Sequence, residues 1–185
     1  MPREAIEEQL IKLIPELTKF HDVDLQERVI GTWVDACDIA GLKPVELVEM
    51  PFSLLLAECP VNFIQHTRGV TRMVLAMAEV LAEMYPENPR MHADHDTLLA
   101  GALLHDVGKV LEIGRAEQGD GWITTMSGKM LRHPISGTAL AYARGIPDKV
   151  LHCIACHSKE GDGYRKTLEA HLIHHADFAN FEPLH

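Results

Sequence analysis

Apolar residues recur at helical spacing along most of the chain, and the breaks between these series mark its elements. Ile6, Leu10, Leu13 and Leu17 form the first series, which Pro15 kinks or ends. A second helix is predicted from Asp24 to Ala40, with Ile30, Trp33, Val34 and Cys37 as its apolar stripe and Gly41 as its stop. Pro44 opens a third, Pro51 interrupts it, and Phe52 to Ala57 is a short apolar run. Cys59-Pro60 is a break. From Asn62 a long helix places His66, Val70, Met73, Val74, Met77, Val80, Leu81 and Met84 on one face, leaving Arg68, Arg72 and Glu79 to solvent. Tyr85 to Asp96 reads as a loop, with Asp94 or Asp96 capping the helix that follows.

Leu98 to Lys109 breaks the amphipathic rule. LLAGALLHDVGK has no polar face until its end, so a helix made of it is buried on all sides. The glycine-rich stretch from Glu112 to Arg132 then reads as a long loop, with a short β-hairpin within residues 121–130 turning near Ser127-Gly128. Pro134 starts a helix through Ala143, with His133 at its N-cap and Gly145 at its end. Pro147 starts another, which runs to His157. Thr167 caps a last helix with Leu168, Leu172, Ile173 and Ala176 as its apolar positions. The prediction is an all-α chain, divided into an N-terminal helical extension over 1–59 and a helical domain over 60–185. The extension packs on the domain or serves a homodimer.

Composition narrows the classes. A length of 185 residues and 46% hydrophobic content support a proper core. A net charge of −10 argues against a nucleic-acid surface built on bulk charge, yet leaves room for a small phosphorylated ligand held by a local cation. Four cysteines at this length make no disulfide framework, and Cys153 with Cys156 reads as two small buried residues on a helix. Met1 to Glu8 is charged with no signal-peptide core after it, and no apolar run reaches membrane length. The expectation is a cytoplasmic protein with no membrane contact.

The chemistry sits at the end of the buried helix. His105 and Asp106 stand side by side there, with Lys109 three residues on. Burying an ionisable pair is costly unless its charge is compensated, and a metal ion compensates it. Other ligand-type residues lie near helix ends: His66, His133, His157 and Asp177, with His174 three residues before Asp177 on the same face. His66 alone reads more readily as a core histidine than as a ligand. His21, His92 and His95 read as surface residues, and His152, His171 and His175 have no relation to the others.

The order H…HD…H…H…D resembles the HD-domain superfamily of metal-dependent phosphohydrolases. HDVGK is similar to that superfamily's metal-binding core. RHPISG, ACHSKEGDG and LIHHADFAN, carrying His133, His157 and Asp177, are similar to later segments of its two-metal members, among them the HD domains of bacterial exoribonucleases and the HD-GYP phosphodiesterases. The resemblance spans roughly Asn62 to Asn180 and implies an HD helical bundle. It implies that His66, His105, Asp106 and Asp177 hold one metal, and that Asp106 bridges to a second held by His133 and His157. It implies two divalent or transition ions, iron first, with manganese, zinc, nickel, cobalt or magnesium as alternatives. It further implies that Asp106 and Lys109 are catalytic, Lys109 contacting a phosphoryl oxygen, and that His174 contacts substrate or donates a proton to the leaving group. The substrate class so implied is a small, nucleotide-like phosphate ester. Two departures separate the chain from the cyclic-dinucleotide enzymes. Ser158-Lys159 follows His157 where some relatives have His-Glu, and Arg165 follows Gly163-Tyr164 where the GYP element has proline. A mixed-valent di-iron oxygenase and a non-catalytic signalling module are the other readings of the same ligand set.

Overall fold

The computed structural model of the chain describes residues 1–56 and 58–184, so the end of the predicted apolar run, at Ala57, lies outside the described residues. The fold is helical, with one two-stranded antiparallel sheet among the described residues.

Helix α1 covers Arg3–Leu13 and stops before Pro15, which opens a single 3-10 turn over Pro15–Thr18. Helix α2, Val23–Ala40, begins where the Asp22 carboxylate accepts from the Leu25 N–H and ends at Gly41, whose φ of 67° few other residues tolerate. The predicted third helix is a 3-10 segment, Pro44–Val48. Helix α3, Phe63–Met84, starts on a reciprocal capping box between Asn62 and Gln65. Its first half is buried through Val74. Beyond it Met77 and Leu81 still pack against the core, while Met73, Val80 and Met84, predicted to face inward, are exposed.

Helix α4, His95–Leu104, is capped by Asp94 and is the centre of the molecule. Leu99, Ala100, Leu103 and Leu104 face a core shared with α1, α2 and the later helices, including Leu10, Trp33 and Phe63. Leu98 and Ala102 face a second cluster with Val70, Val74, Cys153, Ile173 and Ala176. Covered from both sides, α4 needs no polar face, which explains the unbroken apolar run. The residues before position 60 thus share a continuous core with the rest of the chain.

The hairpin exists, but its turn lies earlier than predicted. After the short helix α5, Lys109–Glu112, strand β1 (Ile113–Arg115) pairs with β2 (Trp122–Thr124), and Ile113 stands opposite Thr124. The residues predicted to turn, Ser127-Gly128, lie instead in helix α6, Met126–Met130, capped by Thr125. Gly128 serves close approach rather than a turn: a Cβ there would lie 2.5 Å from the Glu112 carbonyl oxygen. Helices α7 (His133–Ala143), α8 (Asp148–Cys156) and α9 (Leu168–Phe181) follow, with Thr167 capping α9. His133 is the first residue of α7 rather than its cap, which is Arg132. No helix among the described residues is long and apolar enough to cross a membrane.

Arg68 corrects another expectation. It does not point to solvent but forks onto Glu16, with Nε 3.0 Å from Oε2 and Nη2 3.2 Å from Oε1. Glu16 is buried, so removing its partner strands a carboxylate. Arg68 is itself 37% exposed, which lowers the cost. We expect Arg68→Ala to destabilise the fold by about 1–3 kcal/mol in urea unfolding; an unchanged midpoint would show the pair to be inert.

Candidate metal centre

Five elements bring six side chains to one point. His66 comes from the first turn of α3. His105 ends α4, and the chain turns through Asp106, Val107 and Gly108 before α5. His133 opens α7, His157 ends α8, and Asp177 comes from the third turn of α9. Gly108 lets the turn reach α7, because a Cβ on it would lie 2.2 Å from the His133 carbonyl oxygen. His66, His105, Asp106, His133 and His157 are buried, and Asp177 is nearly so.

Asp106 is the geometric centre. Its Oδ2 lies 3.2 Å from His66 Nε2 and 3.4 Å from His105 Nε2. Its Oδ1 lies 3.3 Å from His133 Nε2 and 3.4 Å from His157 Nε2. Asp177 Oδ1 is 3.1 Å from His66 Nε2, which adds it to the first group. Two clusters result, one of His66, His105, Asp106 and Asp177 and one of Asp106, His133 and His157, each with its ligand atoms within 4.8 Å of one another.

The hydrogen-bond chemistry of these rings calls for a cation. His157 Nδ1 lies 2.7 Å from the Ile154 carbonyl, so it donates and leaves a lone pair on Nε2. His133 Nδ1 lies 2.9 Å from Glu112 Oε2, with the same consequence. The two Nε2 atoms, both acceptors, face each other at 3.3 Å beside a carboxylate oxygen. The first cluster repeats the pattern. His105 Nδ1 donates to the Ala102 carbonyl at 2.7 Å, and His105 Nε2 lies 3.3 Å from His66 Nε2. A single ring hydrogen on His66 cannot serve His105, Asp106 and Asp177 together. Imidazole lone pairs that converge beside a carboxylate suit a divalent ion, and mixed imidazole and carboxylate ligands suit iron, manganese, zinc, cobalt or nickel.

Burial alone would push the Asp106 carboxyl up. The Lys109 ammonium is the largest influence opposing it, and the carboxyl is held well below the usual carboxylate range. Lys109 Nζ is 2.6 Å from Asp106 Oδ2. The two residues are not on one helix, since Asp106 lies in the turn and Lys109 starts α5. Asp177 is likewise lowered: burial opposes ionisation, and the hydrogen bond to His66 overrides it. At His133, burial pushes the imidazole down and so favours the neutral ring that ligation needs.

A cavity of about 440 Å³ opens onto this centre. Lys109, Glu112, His133 and Asp177 reach it, Arg132 and Lys159 add positive charge, and Phe52, Phe178 and Phe181 give an apolar wall. His174 does not line it. Its Nδ1 donates to the His157 carbonyl at 2.7 Å, and its ring packs 4.5 Å from Phe178. His21 and His95 pack on each other beside Asp96. Cys153 stays a core residue, its thiol pushed up to about 12 by burial, which suits neither metal ligation nor redox exchange.

Sequence reasoning missed Glu112. It accepts from both the backbone N–H and the Nδ1–H of His133, at 2.7 and 2.9 Å. Nothing in the sequence joins two residues 21 positions apart across a hairpin. We expect Glu112→Ala to weaken metal binding at the His133 side by about 10–100-fold, because an unbraced ring loses both orientation and basicity. Chelator competition reads this, and an unchanged affinity would mean that His133 is held in place by packing alone.

A family model for the HD domain matches residues 63–178, well over half of the chain, and takes in all six of these side chains. The chain belongs to the HD domain family. A curated relative, the dihydroneopterin 2',3'-cyclic phosphate phosphodiesterase of Methanocaldococcus jannaschii, is 35% identical over 120 residues, covering 64% of this chain. The chain spans a little under half of that protein's length, 46%. No solved structure matches the chain.

Proposed function

We propose that the chain is a metal-dependent phosphohydrolase acting on a small phosphodiester, with two metal ions sharing Asp106. One observation carries this reading: each oxygen of Asp106 faces its own pair of imidazole nitrogens. His66, His105 and Asp177 would complete one site, and His133 and His157 the other. Bound there, the ions supply a water of lowered pKa as nucleophile and Lewis-acid neutralisation of phosphoryl oxygens.

The chain's own residues supply the rest. Lys109 presents a fixed ammonium at the cavity wall, anchored by Asp106, where it meets charge that builds on a non-bridging oxygen. Asp106, held ionised by its surroundings, keeps the centre's negative charge in place. Lys109, Arg132 and Lys159 at the cavity offset the carboxylates of Glu112, Glu160 and Asp177 there, so the mouth does not share the acidic net charge of the chain. The apolar wall excludes water from one side of the bound ester. His174 holds the His157 backbone, and we assign it a positioning role rather than proton donation. The relative's name points to a cyclic phosphodiester as the first substrate class to try.

The test is a panel of cyclic and linear phosphodiesters and phosphomonoesters, run with iron, manganese and zinc on metal-reconstituted protein. We expect turnover of a phosphodiester that Lys109→Met lowers mainly in kcat. No turnover across the panel with both sites filled would overturn the reading, as would substrate-dependent oxygen consumption, which would favour an oxygenase.

A further inference from the structure

The four imidazoles at the centre are not held alike. His105, His133 and His157 are each pinned by an Nδ1 hydrogen bond to an oxygen of the protein. His66 is not: its Nδ1 is buried and has no hydrogen-bond partner among the described residues. Apart from the contacts of its Nε2, the ring is steadied by a stacked face. Phe52 stacks on it with centroids 4.3 Å apart and planes 19° apart. The same phenyl ring has the Lys109 ammonium 5.2 Å from its centroid. Phe181 meets it edge-on at 5.9 Å.

Phe52 lies outside the matched HD segment, which begins at residue 63. It is fully buried all the same. Its placement comes from a short pairing across the break: Pro51 bridges Asn62, the Phe52 N–H reaches the Val61 carbonyl, and the Phe63 N–H donates to the Met50 carbonyl at 2.8 Å. Asn62 also caps α3, the helix that carries His66. The same junction therefore fixes the start of that helix and the ring that faces its histidine.

We propose that Phe52 is a positioning residue for the centre: its ring sets the orientation of His66 and the seat of the Lys109 ammonium, so the segment before the HD match is part of the active apparatus. This rests on the reading of His66 as a metal ligand. A ring held through Nε2 alone, with Nδ1 unbraced, keeps freedom to tilt about that one contact, and a flat neighbour stacked on its face opposes the tilt. An aliphatic side chain of similar volume fills the space but does not present a flat face.

The experiment compares Phe52→Leu, Phe52→Met and Phe52→Tyr with the wild type in the full chain. Zinc or manganese affinity is measured by chelator competition, and the melting temperature of each metal-free protein controls for folding. Phe52→Leu and Phe52→Met are expected to weaken the tighter or looser of the two binding steps, the one that His66→Ala removes, by about 10–100-fold. The step that His157→Ala removes should stay unchanged, and Phe52→Tyr should bind within about threefold of wild type. Folded Leu and Met variants that bind both ions normally would overturn the inference, as would unfolding of both, which would make the ring purely structural. If wild type itself binds no metal, the fault lies with the metal-centre reading and not with Phe52.

Discussion

Asp106→Asn is expected to lower the proposed phosphohydrolase activity by on the order of 10³-fold or more while leaving the fold intact. The substitution keeps the shape of the side chain and removes the charge. It also makes the two ends unlike. An amide has one acceptor oxygen and one donor nitrogen, so it can serve only one of the two facing ligand sets. The Lys109 ammonium, 2.6 Å from Oδ2, selects the oxygen for that end. The NH₂ then faces His133 Nε2 and His157 Nε2 and donates to the lone pairs that would otherwise hold a metal. The His133–His157 site should be lost first, with the His66–His105 site weakened by the missing charge. Metal analysis alongside turnover checks this. A variant that keeps both metals and wild-type turnover would remove Asp106 from the centre of the mechanism.

The second large effect concerns packing. Gly108→Ala is expected to destabilise the protein by about 2–4 kcal/mol, because overpacking forces backbone shifts. At this chain length that is a fall in Tm on the order of 5–15 °C. The atoms in the way are the His133 carbonyl oxygen at 2.2 Å, the Ser136 Oγ at 2.6 Å and the Gly137 nitrogen at 2.7 Å. Two of these are backbone and cannot swing aside. The only relief is to move α7 away from the turn, which pulls His133 from Asp106. Metal affinity should therefore fall with stability, most on the His133 side. Thermal unfolding of the metal-free protein reads the first effect and chelator competition the second. A Tm within about 2 °C of wild type would show that the turn and α7 are not locked together.

The helices were legible because their signals are local. Asn62 announces the start of α3, Thr167 that of α9, and Pro15 and Gly41 the ends of α1 and α2. The unbroken apolar run of α4 announced its burial. The six side chains were legible as a set through their order in the chain, and the fold brings all six together. What stayed hidden depends on contacts between distant segments. Glu112 on His133, Phe52 on His66 and Glu16 on Arg68 leave no periodic trace. The hairpin was misplaced for a related reason. Strands of three residues are too short to show alternation, and Gly128 reads as a turn residue until the Glu112 backbone is seen against it. His174 faces a backbone carbonyl rather than the cavity, a distinction of side-chain direction that spacing on α9 does not carry.

We propose that one carboxylate serves two metal sites. It is tested most directly by counting metal ions per chain in protein reconstituted without oxygen, for wild type, His157→Ala and His66→Ala. We expect two ions in the wild type and one in each variant, the survivor differing in its coordination spectrum between the two. One ion in the wild type, retained in His157→Ala and lost in His66→Ala, would contradict it.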